Sequence, residues 1–142
     1  MLDRAYGALV GGAIGDAMGM PASFFTREKM KSTYGYIQDF VTPEAEEQSY
    51  HGSLQAGEVT DDTMESVILS QVLIQYGQFN KEAFNEAMKN WAIEQKMLET
   101  TVIGPSTRRY LTALIEGRNP EATSGESATN GSAMRVAPVG VK

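Results

Sequence analysis

The chain has no cysteine and a single histidine, His51, among its 142 residues. Without thiols there is no disulfide framework, zinc finger or sulfur nucleophile, and one imidazole cannot assemble a histidine-based metal site. Basic residues are scarce as well: 12 Lys and Arg face 18 Asp and Glu, giving a formal net charge of -6 and a pI near 4.8. That balance offers no long-range attraction for nucleic acid or an anionic membrane surface, so neither is expected as a partner. Cations, or small molecules brought in by cations, suit it better. Long apolar runs are also missing. The most apolar stretch, residues 8–20, is broken by Asp16 and several glycines and follows no basic block. A secretory signal needs a positive start and an unbroken apolar centre, and a membrane span needs about 20 apolar residues. A cytoplasmic protein is the resulting expectation.

What is present points to one helical domain. Hydrophobic residues make up 42% of the chain, enough to line a core, and a domain of this size removes roughly two-thirds of its unfolded surface from water. Four segments carry helical periodicity and none carries strand alternation, so the fold class is all-α. In the first, Leu2, Ala5, Tyr6, Leu9, Ala13 and Ile14 form a stripe, while Gly7, Gly11, Gly15 and Gly19 fall four apart on another face. Each glycine costs about 1 kcal/mol relative to alanine in a helix, an expense offset by close approach of another helix or of a ligand. The second helix is expected from Thr60 to Tyr76, burying Met64, Val67, Ile68, Val72 and Tyr76 and ending at Gly77. The third runs from Asn80 through Met97 with Phe84, Ala87, Met88, Trp91 and Ala92 inward. The fourth begins at Pro105 and Ser106, turns Tyr110, Leu111, Leu114 and Ile115 inward and ends at Gly117, following the Pro-first, Gly-last asymmetry of helices. Residues 26–58 read as an irregular polar connection with a short helix near 27–33. From Asn130 a buried helix is expected to begin. An apolar element at that place either docks back on the four helices or belongs to a longer domain; the second is the expectation here, with 1–142 the N-terminal part of a single domain whose uncovered face favours self-association.

Two polar clusters stand out. Glu58, Asp61, Asp62 and Glu65 put four carboxylates within eight residues at a helix start. The helix dipole offsets part of their repulsion, so a capped acid-rich turn is one reading. The other is that Thr60, Asp61 and Asp62 present three hard oxygen ligands suited to Mg²⁺, Mn²⁺ or Ca²⁺, with Asp16 as a possible fourth contributor. The second cluster, residues 124–132, leads small donors into the expected helix start, where backbone N–H groups favour anions such as phosphate. Gly104 to Arg109 has the same ambiguity: Arg108 and Arg109 read as a solvated helix face or as a phosphate clamp. His51 has no serine or cysteine partner and reads as a loop hydrogen-bonder. Neither Gly-x-Gly-x-x-Gly nor the phosphate-loop signature occurs.

The order of these motifs is more specific than any one of them. Gly-Ala-Leu-Val-Gly-Gly-Ala-Ile-Gly-Asp-Ala-Met-Gly-Met-Pro at 7–21, Val-Thr-Asp-Asp-Thr at 59–63, Gly-Pro-Ser-Thr-Arg-Arg at 104–109 and Asn-Gly-Ser-Ala-Met-Arg-Val-Ala-Pro-Val-Gly at 130–140 together resemble the ADP-ribosylglycohydrolase family. The resemblance implies an all-α, orthogonal helical bundle with two Mg²⁺ or Mn²⁺ ions in a cleft, hydrolysing an ADP-ribosyl or related ribosyl N- or O-glycosidic bond of a modified protein or a small conjugate. Carried over, Thr60, Asp61 and Asp62 match the first metal-ligand motif, with Asp61 and Asp62 catalytic. Ser127, Asn130 and Gly131 match the segment that contacts ADP-ribose. There are two departures. The glutamate that usually follows the proline by two residues is Ser23 here, and the second ligand motif, Asp-x-Asp-Thr, is absent. The chain therefore holds about half a metal site and is expected to be part of an active enzyme. A non-catalytic module binding ADP-ribose-like ligands, motivated by Ser23, and a helical interaction protein remain the alternatives.

Overall fold

A computed structural model of the chain describes residues 2–44, 46, 48, 50–123 and 129–141. All regular structure among them is helical: α1 (Leu2–Gly19), α2 (Arg27–Tyr34), α3 (Asp61–Tyr76), α4 (Lys81–Glu94), α5 (Pro105–Ile115) and the one-turn α6 (Ala137–Gly140), with short 3₁₀ turns at Met20–Ala22, Met97–Glu99 and Pro120–Thr123. The all-α expectation holds. No single helix among the described residues is long and apolar enough to cross a membrane.

Local chemistry sets the boundaries. Thr26, Thr60 and Asn80 are extended residues whose side chains accept from the backbone N–H of Lys29, Asp62 and Ala83, capping α2, α3 and α4; each such cap is worth about 1 kcal/mol. Pro105 opens α5 behind Gly104, where its missing N–H is no loss. Gly77 closes α3 in the left-handed conformation at φ 68°, a backbone state that disfavours residues bearing a Cβ.

The main core lies among α3, α4 and α5. Ile68, Leu69 and Val72 meet Phe84, Met88, Trp91 and Ala92, with Met97, Ile103 and Leu111 closing the cluster. α3 is central, touching α1, α4 and α6. The third predicted helix proves shorter, ending at Glu94, because the chain turns through Lys96 in the left-handed region before the 3₁₀ turn brings Met97 into the core.

Three expectations are corrected. On α3, Met64, Val67 and Tyr76 are exposed, and the buried line is Asp61, Glu65, Ile68, Leu69 and Val72. Apolar residues encircle this helix, so periodicity alone could not choose its inner face. On α1, Leu2, Tyr6 and Ile14 are exposed, and a Cβ added at Gly7, Gly11, Gly15 or Gly19 would meet nothing within 4 Å. No helix of the described residues lies against that glycine face. Finally, Asn130 does not start a helix: residues 129–135 form turns in which Ala133 and Met134 donate to the Asn130 carbonyl. Pro138 is admitted only in the first turn of α6, as its ring and missing N–H require. The segment docks back on α1 and α3 with Pro138 buried, while Val136 and Val139 stay half exposed.

Candidate functional site

A cavity of about 980 Å³ opens between α1, the N-terminal ends of α3 and α5, and the turns after Thr129. Its floor is polar. Asp16, on the last full turn of α1, reaches across to the start of α3 and accepts from the Thr60 N–H (2.8 Å), the Thr60 hydroxyl (2.8 Å), the Thr63 N–H (3.3 Å) and the Thr63 hydroxyl (2.6 Å). A carboxylate thus satisfies two orphan donors of a helix N-terminus and sits at the positive end of its dipole. It pins Thr60, whose hydroxyl oxygen in turn accepts from the Asp62 N–H at 3.2 Å.

Asp61 and Asp62 follow on the first turn and line the same cavity. Burial, and then the neighbouring Asp62, push the Asp61 carboxyl up to about 6, although the Gly104 backbone pulls the other way. Burial, and then Asp16, raise Asp62 as well, opposed by a hydrogen bond from Asn130 and by the nearby His51. The Asn130 amide donates to the Asp62 carboxylate at 3.3 Å. Burial and like charge therefore disfavour the ionised form of both aspartates, which is the environment a hard divalent ion relieves. The donor set fits such an ion in type: a threonine hydroxyl and two carboxylates. Among the described residues no three Asp, Glu or His side chains converge on one point, so these donors are part of a coordination sphere. Asp16 holds the loop in place rather than adding an uncommitted ligand.

The predicted ligand-contact residues separate. Asn130 and Gly131 line the cavity; Ser127 lies outside the described residues. Asn130 offers its side chain from a turn, so the anion site expected at a helix end is not formed there. Ser23 is also on the cavity wall, and its carbonyl accepts from Gln48 at 2.9 Å. Arg108 is neither a solvated face nor a clamp: its guanidinium donates to the Leu98 and Thr100 carbonyls, tying α5 to the preceding 3₁₀ turn. Arg109 stays exposed beside Ser106.

Two features escaped the sequence reading. Glu65 does not belong with the capping acids. It is 0% exposed, and burial pushes its carboxyl up to about 8 against the opposing pull of Arg135, with which it forms an ion pair. Neither oxygen has an aligned hydrogen bond among the described residues. Arg135 also lies over the Phe84 ring at 5.9 Å. Half of the signal was there: Arg135 stands alone between Met134 and Val136, whereas Glu65 follows Asp61 and Asp62 closely enough to read as a capping acid. The second feature is an aromatic wall. Phe24, 77% exposed, takes a left-handed backbone at φ 67°, a conformation costing roughly 1–2 kcal/mol for a residue with a Cβ. Its ring meets Tyr50 at 4.9 Å and His51 at 6.3 Å.

The family profile described as ADP-ribosylglycohydrolase matches residues 1–142. The chain belongs to the ADP-ribosylglycohydrolase family. Similar proteins agree with that membership. An uncharacterised protein of Archaeoglobus fulgidus is 35% identical over 99% of this chain and 43% of its own length. The ADP-ribosyl-[dinitrogen reductase] glycohydrolase of Rhodospirillum rubrum is 30% identical over 96% of the chain and 43% of its own length. The ADP-ribosylarginine hydrolase Tri1 of Pseudomonas putida is 30% identical over 99% and 36%. The chain thus spans about two-fifths of the length of these family relatives.

Proposed function

We propose that this chain forms the Thr60-Asp61-Asp62 side of a divalent-cation-dependent hydrolase that cleaves an ADP-ribosyl, or related ribosyl, glycosidic bond in a modified protein or a small conjugate. The observation that carries the reading is the meeting of Asp61, Asp62 and Asn130 on one cavity, with Asn130 bonded to Asp62. Family membership and the names of the relatives acting on ADP-ribosyl linkages support it.

In this reading Thr60, Asp61 and Asp62 would hold Mg²⁺ or Mn²⁺, with two ions in a complete family site. A divalent ion supplies charge stabilisation and anchoring for ribose hydroxyls and water. The chain's own residues do the rest. Asp16 keeps Thr60 and Thr63 fixed, so the first turn of α3 presents its oxygens without rearrangement. Asp61 and Asp62 orient a water toward the ribose C1″ as the glycosidic bond breaks through an oxocarbenium-like state, and the proton lost by the water passes to the departing group. Asn130 fixes the Asp62 carboxylate and, with Gly131 and Ser127, contacts the ADP-ribose. The cavity wall of α1, with Gly12, Gly15 and Gly19, lets the ligand approach the backbone.

The test is release of ADP-ribose from an ADP-ribosylated protein by the whole enzyme of which this chain forms one side, with and without Mg²⁺ or Mn²⁺. Cation-dependent release that disappears in Asp61→Asn supports the reading; no release and no binding of ADP-ribose contradicts it.

A further inference from the structure

His51 is the chain's single histidine, only 8% exposed, and it lies on the cavity wall with a buried Nδ1 that has no hydrogen-bond partner among the described residues. A buried ring nitrogen without a partner is uncommon and calls for an explanation. The neighbours supply one. The strained, exposed Phe24 ring meets both Tyr50 and the imidazole, so three rings form one face of the cavity. Backbone strain held at the lip of a cavity is a recurrent mark of ligand contact, and an exposed phenyl ring held there gains nothing from the protein core.

The position of this wall decides what it faces. Asp62, bonded to Asn130, shares the cavity with this wall. With ADP-ribose on the Asn130 side, as in the function proposed above, the group departing from the sugar lies on the side of Phe24, Tyr50 and His51. The carboxylates of this cavity are Asp16, Asp61 and Asp62. Asp16 is held by Thr60 and Thr63, and in the function proposed above Asp61 and Asp62 are taken up by the cation, so a guanidinium departing beside Ser23, Phe24, Tyr50 and His51 would find no free counter-charge. A neutral flat ring would find stacking surfaces and an imidazole.

We propose that Phe24, Tyr50 and His51 form a leaving-group subsite that takes a neutral nitrogen heteroaromatic ring, so that the preferred substrates are ribosyl conjugates of such a ring rather than of an arginine side chain. Phe24 stacks on the ring through aromatic contact, and His51 is a specificity residue that hydrogen-bonds its polar edge. This rests on the function proposed above for the sugar's placement, but its test does not require turnover.

Because His51 is alone in the sequence, its two imidazole nitrogens give the only histidine side-chain signals in a nitrogen-15 NMR spectrum. Nicotinamide, as the neutral heteroaromatic probe, and methylguanidinium, as the arginine analogue, are titrated separately into the chain without added metal. Nicotinamide should move the His51 signals saturably. Methylguanidinium should leave them in place. Phe24→Gly, which also relieves the positive φ and so should keep the fold, should weaken nicotinamide at least tenfold, and His51→Gln should do the same as read from Tyr50 ring signals. The subsite is overturned if nicotinamide leaves His51 unmoved, if Phe24→Gly binds it equally well, or if methylguanidinium is the probe that binds. A metal-site failure would show separately, as loss of cation binding with the nicotinamide response intact.

Discussion

The Glu65 carboxyl and the Arg135 guanidinium pair across the contact that ties the second turn of α3 to the segment following Asn130, the carboxyl fully buried and the guanidinium partly so. The Ser66 hydroxyl donates to the Met134 carbonyl at 3.3 Å in the same contact. Together they hold the turn that carries Asn130 and Gly131 against the helix that carries Asp61 and Asp62. The anchor is therefore one helical turn below the site it serves.

The pair gives the fold a pH dependence with a definite sign. Glu65 is raised from 4.5 to about 8 in the folded chain, so between those values the folded state holds a proton that the unfolded state has released. Stability should fall as pH rises through that window, by up to about 1.4 kcal/mol per pH unit. Asp61, raised from 3.8 to about 6, adds a slope of the same sign between those two values. Urea unfolding of the metal-free protein from pH 5 to 8.5 should show the decline, and Glu65→Gln should flatten it above pH 6.

Removing Arg135 tests the anchor. Arg135→Met keeps the apolar stem over Phe84 but leaves Glu65 alone in the core. Breaking one side of a buried pair costs about 3–5 kcal/mol, an upper figure here because Glu65 can take a proton. The variant should unfold at lower urea and bind ADP-ribose more weakly, whereas Arg135→Met combined with Glu65→Leu should recover most of the stability.

Asp16 should matter to the fold before it matters to chemistry. Its carboxylate accepts four hydrogen bonds from Thr60 and Thr63, and bonds to a charged acceptor contribute roughly 1.5–3 kcal/mol apiece before non-additivity. Asp16→Ala should lower stability by about 3 kcal/mol in denaturant titrations, with cation binding weakened in parallel. Asp16→Asn, which keeps the shape and part of the accepting capacity, should fall between.

Arg108 offers a control outside the cavity. Its bonds to Leu98 and Thr100 brace α5, so Arg108→Ala should lose about 2 kcal/mol in thermal unfolding while leaving cation affinity unchanged.

The sequence made some levels of this structure plain and left others hidden. Helix starts at Thr60 and Asn80 and stops at Gly77 and Gly117 are written in single residues with local mechanisms, so they were legible, as were Asp61, Asp62 and Asn130 by their motifs. Which face of α3 turns inward was not, because Met64, Val67, Leu69 and Ile74 ring it and only tertiary contacts choose among them. The last segment was misread for a physical reason: small residues before Pro138 suit either a helix or turns, and the proline permits helix only beyond it. The Phe24, Tyr50 and His51 wall joins residues separated by α2 and the long connection, which no local pattern encodes. Of the Glu65 and Arg135 pair only Arg135 was marked in the sequence, as a lone charge among apolar residues, while Glu65 reads there as the last of the capping acids.

The central claim is that Asp61 and Asp62 are held together by a divalent cation. Calorimetric titration of Mn²⁺ into the purified protein at pH 7.5, beside an Asp61→Asn, Asp62→Asn variant, tests it most directly. The account predicts saturable binding that is lost in the variant, together with a variant more stable than the native protein when no metal is present, since two mutually repelling carboxylates have been removed. Absence of Mn²⁺ binding by the native protein, or binding unchanged in the variant, would contradict it.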